Sequence, residues 1–471
     1  MLDLSREGAG SGRSAVLGSG VAGLLAAHVL ARRGRPVVVF ERDARPEGAE
    51  VGPRKGVPQG RHVHVLLRAG ERVLEELLPG VVADLEAEGS HPLDFSAHFR
   101  WFHHGAWRVR FDCGEITHFQ SRALLESVLR RRLEALPNVE IRYETVACGL
   151  DLNFDGRVAG VRLRRPLSVT GDGTEDREPF DLVVDASGRG SSLPRWLAER
   201  GFPVPPEERL AVDLAYASRV LKADPRFLGG KEALLILPLP PEETRAGAIF
   251  PIEGGRWIVT LAGYGGDHPP SDPAGWLDFA RGLARPELLA AIREAEPLSE
   301  IATFRFPAAR WLHYERLRRL PRGLAMIGDG VCSFDPLFGQ GMSAAALAAR
   351  ALDRHLAGDP HLDRPRTLAR KVAGVLGAPW LLASSEGLRY PRVEGRRPFW
   401  MPWLQRYTHQ VFLLTSTSPA VYRRILRVLN LLDAPPVFFH PAIVARLIAK
   451  GLGLFRSRPV RDFAEIAARE G

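Results

Sequence analysis

The sequence contains few cysteines and no long charge-free run. Its three cysteines, Cys113, Cys148 and Cys332, have neither Cys-x-x-Cys nor metal-ligand spacing, and their odd number argues against a disulfide framework. The longest stretch without Asp, Glu, Lys or Arg has 16 residues, 407–422, whereas a membrane-spanning helix needs about 20 apolar residues. Residues 1–13 lack the apolar core of a secretory signal. We therefore expect a cytoplasmic protein without a transmembrane segment.

Lysine is also scarce, and its scarcity affects how the positive net charge is interpreted. The formal net charge is +9, which in other proteins can indicate nucleic-acid binding. Only five of the 64 basic residues are lysine, however, and such an arginine bias is typical of a GC-rich genome rather than of a binding surface. We therefore expect no nucleic-acid partner. With 45% apolar and 25% charged residues, the 471-residue chain has the composition of a globular protein of two or three domains.

The pattern along the chain predicts an α/β protein. A short apolar run at 14–17, a helical pattern at 21–33 and a β-branched run at 35–40 form a βαβ unit with a parallel sheet. Residues 208–304 contain several strand patterns with helical inserts around 273–295. The α/β pattern then returns, and residues 365–471 are largely helical in pattern.

The first chemical motif is Gly18-x-Gly20-x-x-Gly23, between the first strand and the first helix. Gly18 permits the tight turn, Gly20 lets the backbone approach a pyrophosphate, and Gly23 lets helix and strand pack closely. The helix N-terminus then offers free N–H groups to the phosphates. Glu41, at the end of the second strand, is placed to bind a ribose diol. This context predicts dinucleotide binding.

A second glycine-rich segment, Gly328-Asp329-Gly330 to Gly339-Gln340-Gly341-Met342, indicates that the dinucleotide is FAD. It leads into a helix that begins with small residues, and the N–H groups of such a terminus stabilise the negative charge of a reduced flavin. Asp329 could accept a hydrogen bond from a ribityl hydroxyl. An NAD enzyme needs no second glycine turn some 300 residues away, because only a flavin would extend so far across the sheet.

Together with the segment Asp185-Ala-Ser-Gly188-Arg-Gly-Ser191, these motifs resemble FAD-dependent monooxygenases of the para-hydroxybenzoate hydroxylase fold. Three segments are similar, more narrowly, to flavin epoxidases of polyether biosynthesis, such as the monensin and lasalocid epoxidases: residues 54–64, 185–191 and 251–257. The resemblance runs from about residue 14 to residue 365. It implies a Rossmann-like FAD-binding domain with an inserted β-sheet substrate domain and a helical C-terminal region.

The resemblance also implies roles for individual residues. Gly18, Gly20 and Gly23 would hold the pyrophosphate, Glu41 the adenosine ribose, and Arg122 the phosphates or the ribityl chain. Asp329 would take the ribityl or pyrophosphate side. The remaining candidates for FAD binding are Arg42, Arg54, Gly339, Gln340, Gly341 and Met342. The loop that borders the isoalloxazine would contain Arg54, Gln59, His62 and His64, and Gln59 and His64 are its candidates for contact with the reacting atoms.

The family resemblance extends to domains and electron supply. It assigns residues 1–13 to a flexible N-terminus, residues 14–70, 115–205 and 305–365 to the FAD-binding domain, residues 71–114 and 206–304 to the substrate domain, and residues 366–471 to a helical C-terminal region. FAD would be non-covalent. Aromatic hydroxylases of this fold have an Asp-Gly pair where this chain has Ser187-Gly188. In those enzymes the pair helps to bind NADPH. Electrons would therefore come either directly from NAD(P)H or, because the pair is absent here, from a separate flavin reductase.

Several residues have structural explanations that compete with functional ones. Asp185 ends a buried strand and is as well suited to capping a turn as to contacting a cofactor. His103 and His104 have no carboxylate partner at ligand spacing, so we expect no metal site. We expect Trp101 and Trp107 to belong to the hydrophobic core rather than to contact the substrate.

The predicted reaction follows from what the sequence offers around a flavin. The family implies a flavin C4a-hydroperoxide as oxygen donor, so the cofactor performs the difficult step. The strands of 208–304 supply apolar residues and few bases, and we expect seven of these residues to line a pocket: Val212, Leu214, Tyr216, Ile249, Trp257, Val259 and Leu261. We expect epoxidation of a double bond in a lipophilic polyketide or terpenoid intermediate of secondary metabolism, with O₂ as co-substrate. The alternatives are an aromatic hydroxylase of the same fold and a flavoprotein reductase resembling geranylgeranyl reductases.

Overall fold

The structure is a computed structural model that describes residues 12–46, 54, 56–164 and 175–452. Three predicted regions lie partly outside these ranges: the N-terminus, of which only residues 12 and 13 are described, the FAD-binding domain at 47–53, 55 and 165–174, and the C-terminal region beyond residue 452.

The helices of the described residues are α1 (Val21–Ala31), α2 (Arg68–Leu77), α3 (Val81–Ala87), α4 (Arg122–Glu134), α5 (Leu193–Glu199), α6 (Pro273–Arg281), α7 (Glu287–Ile292), α8 (Gly341–Leu356), α9 (Pro365–Gly387), α10 (Met401–Leu414), α11 (Pro419–Leu429) and α12 (Pro441–Gly451). The strands are β1 (Ser14–Leu17), β2 (Val37–Phe40), β3 (His91–Asp94), β4 (Phe99–His103), β5 (Ala106–Trp107), β6 (Ile116–Phe119), β7 (Val139–Arg142), β8 (Val146–Leu152), β9 (Val158–Arg164), β10 (Glu175–Pro179), β11 (Leu182–Asp185), β12 (Glu207–Leu210), β13 (Leu214–Lys222), β14 (Ala233–Ile236), β15 (Arg245–Ile252), β16 (Arg256–Tyr264), β17 (Ala302–Phe306), β18 (Ala309–Leu312), β19 (Leu324–Met326) and β20 (Cys332–Ser333).

A five-stranded parallel sheet carries the first glycine motif. Its strand order is β19-β11-β1-β2-β7, and Val16 of the central strand pairs with Val39 on one side and Val184 on the other. Strands β1, β2 and β11 are buried along their whole length, as parallel strands covered on both faces must be. Helix α1 connects β1 to β2 and packs against α4 and α8. The predicted βαβ unit and the Rossmann-like α/β fold are confirmed.

A second, seven-stranded sheet contains five strands that begin within residues 208–304, β13 to β17. Its order is β17-β13-β16-β15-β14-β4-β5, and all neighbours are antiparallel except β14 and β4. Gly254 and Gly255 form the hairpin turn between β15 and β16, with φ of 74° and 65°. The sequence pattern predicts one strand at 210–221, whereas the structure has β12 ending at Leu210 and β13 beginning at Leu214. Asp213, between them, adopts a left-handed φ of 43°.

The two faces of this sheet have different neighbours. One face packs in a closed apolar core against Trp276 of α6 and Leu288 of α7. Four of the residues predicted to line a pocket belong to that core: Ile249, Trp257, Val259 and Leu261. Two others, Val212 and Leu214, lie in the main core of the protein. The pocket prediction is wrong for these six residues, because period-two alternation groups residues by face without showing which face the helices cover. Tyr216 does face a cavity.

The C-terminal region is helical as predicted. Helix α9 packs against α8, and α10, α11 and α12 share an apolar cluster that includes Phe412, Ile425 and Ile443. Within the described ranges, none of the helices is both long enough and apolar enough to cross a membrane.

One stretch expected to be helical differs. The sequence pattern predicts a helix over 63–87 that is broken near Pro79-Gly80. The break is confirmed, because α2 ends at Leu77 and α3 begins at Val81, but residues 63–67 lie outside any helix and the helix begins at Arg68. The sequence-based division at residue 70 falls within α2 and assigns α3 to the substrate domain. In the structure α2 contacts α8, and α3 contacts α4.

Candidate active site

A long cavity lies where β1, β2 and β11 end, at the edge of a parallel sheet that commonly binds ligands. We call it the cofactor cavity. Eleven of the twelve residues predicted to bind FAD line it: Gly18, Gly20, Glu41, Arg42, Arg54, Arg122, Asp329, Gly339, Gln340, Gly341 and Met342. The fold thus brings the first glycine turn and the segment after residue 328 to one space, although about 300 residues separate them in sequence.

The three glycines of the first motif meet different surroundings. Gly18 has a left-handed φ of 94°, and a Cβ there would lie 2.7 Å from the carbonyl oxygen of Ala186. A Cβ on Gly23 would lie 1.8 Å from the carbonyl oxygen of Gly18, so this residue permits the close packing of α1 on the turn and does not itself line the cavity. A Cβ on Gly20 would meet no atom within 4 Å. Gly20 therefore leaves open the space that a pyrophosphate would need.

Glu41 is fixed by donors from three directions. Its Oε2 accepts hydrogen bonds from the Ser19 N–H at 2.9 Å, the Ser19 hydroxyl at 2.6 Å and the Arg54 guanidinium at 2.8 Å. Its Oε1 accepts one bond from the Asp43 N–H at 3.0 Å. Burial raises the pKa of Glu41, but Arg54 and Ser19 outweigh burial and hold the pKa below its usual value. Glu41 is therefore ionised, and Oε1 retains capacity for a ribose hydroxyl.

Arg54 joins Glu41 to a second buried acid that sequence reasoning missed. Its Nη2 donates to Glu126 at 2.9 Å, and Glu126 also accepts from Arg122 Nε at 2.9 Å. The side chains of Arg54, Glu41 and Glu126 are each about 5–6% exposed. Burial opposes ionisation of Glu126, yet Arg122 and Arg54 keep its pKa low. The only sequence signal was the four-residue spacing of Arg122 and Glu126 on α4, which places both on one helix face.

The second glycine segment forms the other end of the cofactor cavity. Gly339 adopts a left-handed φ of 63°, and α8 begins two residues later with Gly341, Met342 and Ala345 on the cavity wall. The buried Gln340 side chain has an Oε1 atom without a hydrogen-bond partner. Asp329 also lines the cavity, where burial raises its pKa and Arg122 and Arg189 oppose that shift. The first turn of α8 therefore lies in the cavity wall.

The loop of residues 56–64 covers one side of the same cavity. Gln59, His62 and His64 all line it. His62 Nδ1 lies 2.6 Å from the Ser218 hydroxyl, and His64 Nδ1 lies 2.9 Å from the His62 carbonyl oxygen. Burial lowers the pKa of His62 to about 4, with Arg61 adding to the effect, and lowers that of His64 to about 3, with Arg122 adding to it. Both imidazoles are therefore neutral near pH 7.

The residues of the cofactor cavity fit FAD. The open space at Gly20, the unpaired acceptor on Gln340, the acid at the end of β2 and the two helix N-termini are all features that a flavin dinucleotide uses. Asp185, by contrast, accepts hydrogen bonds from Ser187 and Ser191 within its own turn. This is the capping role weighed for it from sequence.

A second cavity of about 470 Å³ adjoins the first, and we call it the substrate cavity. The free face of the seven-stranded sheet supplies its floor, including Phe99, Trp101, Ala248, Phe250 and Ala262. Leucines and phenylalanines of α9 and α10 lie opposite. Six residues line both cavities: Val63, Val65, Tyr216, Pro336, Gly339 and Gln340. An apolar chamber therefore borders the part of the cofactor cavity that includes the start of α8.

A buried acid lies where the cavities meet. Asp335 lines the cofactor cavity and accepts a hydrogen bond from the Tyr264 hydroxyl at 2.7 Å. Burial raises the pKa of Asp335 to about 6. The hydroxyl of Tyr216 is buried without a hydrogen-bond partner, and burial and Asp335 raise the pKa of that phenol. Asp335 could not be identified from the sequence, because neither its spacing nor its neighbours distinguish it from a turn residue.

The substrate cavity has a polar end, lined by His103 and Glu386, that could not be predicted from the sequence. The fold brings Glu386 to His103 and His104, and ligand atoms of the three residues lie within 4.8 Å of one another. Glu386, however, accepts a hydrogen bond from Arg389 at 2.8 Å, and Arg108 is buried nearby. Two guanidinium groups would repel a metal cation. Burial lowers the pKa of both histidines, so we interpret the cluster as an uncharged imidazole pair beside an ion pair.

Comparisons with known proteins agree with this geometry. Residues 16–104 match the NAD(P)-binding Rossmann-like domain family. The chain is 32% identical over 464 residues to Protein Rv3254 of Mycobacterium tuberculosis, and the match covers 96% of each protein. It is 28% identical over 373 residues to kynurenine 3-monooxygenase of Salinispora arenicola, covering 76% of this chain and 74% of that enzyme.

Solved structures show the same fold. A probable FAD-dependent monooxygenase, PqsL of Pseudomonas aeruginosa, is 20% identical with a TM-score of 0.57, covering 80% of this chain and 98% of PqsL. The flavin-dependent brominase Bmp2 is 15% identical with a TM-score of 0.63, covering 93% of this chain and 99% of Bmp2. These solved flavoproteins share the fold of this chain. The chain belongs to the family of Protein Rv3254.

Proposed function

We propose that this protein uses FAD and O₂ to epoxidise a carbon–carbon double bond of a lipophilic polyketide or terpenoid, in the manner of the polyether epoxidases that its motifs resemble. The observation that carries the proposal is the substrate cavity. Its walls are mainly aliphatic and aromatic side chains, and it shares six lining residues with the cofactor cavity. An extended hydrocarbon suits such a chamber better than a charged aromatic acid does.

Reduced FAD, once bound, would supply the activation of O₂. The residues that would hold it are those of the cofactor cavity, with Glu41 on the ribose side and Gln340 and the N–H groups of α8 at the far end. The protein's own contribution would be to exclude water and to orient the double bond. Phe99, Phe250 and the alanines of β15 and β16 present no proton donors or bases to the substrate. This suits epoxidation, which needs no base to activate the substrate.

The balance of the reaction requires two electrons from outside the substrate. One oxygen atom enters the substrate, and the other leaves as water with two protons and two electrons. The departure at Ser187-Gly188 from the Asp-Gly pair of aromatic hydroxylases supports a separate flavin reductase as the donor. Direct reduction by NAD(P)H is the alternative, and a reductant-consumption assay with and without an added reductase distinguishes the two.

Aromatic hydroxylation is a second candidate, and one observation favours it. Asp335, Tyr264 and Tyr216 form a buried polar group at the junction of the cavities, and the pKa of about 6 for Asp335 would let it accept a phenol proton near neutral pH. The similarity to a kynurenine 3-monooxygenase also supports aromatic hydroxylation. A flavoprotein reductase, the third alternative, would consume no O₂ in product formation.

A substrate-panel experiment tests the proposal. The protein, loaded with FAD and supplied with a reductase, is given a long-chain polyene, a phenol of similar length and the corresponding saturated hydrocarbon under air. Substrate-dependent O₂ consumption with the polyene, and little with the other two, is the expected result. Turnover of the phenol alone would instead assign the protein to the aromatic hydroxylases.

A further inference from the structure

Four exposed aromatic side chains lie on the two segments of the C-terminal region that contribute Trp400 and Phe439 to the substrate cavity. Phe399 is 90% exposed, Trp403 73%, Phe439 53% and Trp400 41%, and we call these four residues the aromatic rim. Trp400 and Phe439 also line the substrate cavity, so the rim is continuous with the inside of the chamber. Contiguous exposed apolar patches are rare on the free surfaces of soluble monomers, and they mark sites of interaction.

The rim residues lie together. Trp400 immediately precedes α10, and Trp403 and Tyr407 follow at three- and four-residue spacing, so the three lie on one side of this helix. Tyr407 stacks on Phe439, with ring centroids 4.7 Å apart and planes within 10° of parallel. This stack joins α10 to the segment before α12. The aromatic rim is thus one surface built from two parts of the C-terminal region.

The stretch of sequence that carries the rim is rich in basic residues, of which Arg389 and Arg427 are paired with acids. Residues 389–452 contain ten Arg or Lys residues and two acidic ones. Arg392, Arg396 and Arg406, all exposed, lie within a few residues of Phe399 and Trp403. Tryptophan favours the boundary between water and lipid, and arginine near an anionic membrane adds attraction. The charge therefore complements an anionic lipid surface.

We propose that the aromatic rim docks this protein on the surface of an anionic lipid bilayer. The rim would lie at headgroup depth, without a spanning helix, and the mouth of the substrate cavity would open toward the acyl chains. A lipophilic substrate could then enter from the membrane without crossing water. Only the reference to a substrate rests on the function proposed above, because the docking itself does not depend on catalysis.

Vesicle co-sedimentation of the FAD-loaded full chain tests this. We expect binding to vesicles that contain phosphatidylglycerol, weak binding to pure phosphatidylcholine vesicles, and loss of binding at high salt. Arg396→Glu and Arg406→Glu should each weaken binding about fivefold or more, from the attraction of one basic residue to an anionic surface. The double variant Phe399→Ser/Trp403→Ser should remove most binding. Phe154→Ser is the matched control, because Phe154 is fully exposed on the turn between β8 and β9.

The outcomes separate this proposal from the proposed enzymatic function. Wild-type protein that stays in the supernatant with both vesicle types overturns the docking proposal, even if the enzyme turns over. Equal loss in the Phe154→Ser control also overturns it. A dimer in size-exclusion chromatography that dissociates in the Phe399→Ser/Trp403→Ser variant, without vesicle binding, would show that the rim is instead a contact between two copies. Vesicle binding without any oxygenation would contradict only the enzymatic function.

Discussion

Arg54 donates a 2.8 Å hydrogen bond to Glu41, and both side chains are buried in the wall of the cofactor cavity. Glu41 belongs to the Rossmann-like motif, whereas Arg54 lies on the loop that borders the cavity. The pair therefore couples the position of the loop to the residue expected to hold the ribose.

Arg54→Met should destabilise the protein and weaken FAD binding together. Removing the guanidinium leaves Glu41 and Glu126 buried without their shared partner, and breaking a buried pair in this way costs about 3–5 kcal/mol of unfolding free energy. Chemical denaturation and FAD titration measure the two effects. Arg45→Met is the control, since Arg45 makes an exposed ion pair with Glu134. Equal stability of Arg54→Met and wild type would contradict the assigned role.

Gly20→Val should abolish FAD binding without unfolding the protein. The side chain would enter open space in the cofactor cavity, since no atom lies within 4 Å of its Cβ position, and φ at Gly20 is −71°. The purified wild type should be yellow and should release its flavin on acid precipitation, whereas the variant should be colourless with a similar melting temperature. Gly374→Val, on α9 with equally open surroundings, should remain yellow. A yellow Gly20→Val protein would refute the pyrophosphate site.

Asp335→Asn should change how stability depends on pH. Because the folded pKa of Asp335 is raised from 3.8 to about 6, the folded state holds a proton that the unfolded state loses in this range. The wild type therefore loses stability as pH rises from about 4 to about 6, and up to roughly 3 kcal/mol follows from 1.36 kcal/mol per pH unit. The variant lacks this loss. The unfolding free energy of the variant minus that of the wild type should therefore increase across that window and then level off. Urea unfolding at several pH values measures this difference. Parallel curves for the two proteins would contradict the raised pKa.

The same variant separates the two candidate reactions. An epoxidase needs no base for its substrate, so Asp335→Asn should retain activity on a polyene. An aromatic hydroxylase that uses Asp335 would lose phenol turnover, with the loss most evident above the pKa of about 6.

Two adjacent residues on β15 should respond in opposite ways. Ala248 faces the substrate cavity, and Ala248→Phe should block lipophilic substrates while leaving FAD binding intact. Ile249 faces α6 and α7, and Ile249→Ala should cost about 2–5 kcal/mol of unfolding free energy while leaving the cavity lining unchanged. Substrate-dependent O₂ consumption and denaturant midpoints distinguish the two. Loss of substrate turnover in both variants at equal stability would contradict the assignment of the faces.

The sequence predicted those parts of the site that depend on local backbone chemistry. The spacing of Gly18, Gly20 and Gly23 specifies a turn and the start of a helix. With Glu41 at the end of the next strand, it is the pattern of a Rossmann-like βαβ unit. The second glycine segment, at 328–342, likewise specifies a helix N-terminus. These features lie within short stretches of chain, so their geometry follows from the residues themselves.

The remaining parts of the site depend on contacts between distant residues. Glu386 joins His103 and His104 from about 280 residues away, which no ligand spacing could reveal. Alternation along β15 places Ala248 and Ile249 on opposite faces of the sheet, but it does not show which face lines the cavity. The position of α6 and α7, which cover the face of Ile249, decides this. Glu126 is a helix residue of ordinary appearance until the loop carrying Arg54 reaches it.

The most direct test of the central claim is turnover of a lipophilic polyene under ¹⁸O₂, with FAD reduced by an added reductase and products analysed by mass spectrometry. We predict one ¹⁸O atom in an epoxide, no label from H₂¹⁸O, and loss of the product in Gly20→Val and Ala248→Phe. A labelled phenol from an aromatic substrate, with no epoxide, would contradict epoxidation. An unlabelled product that gains two hydrogens would contradict oxygen insertion altogether.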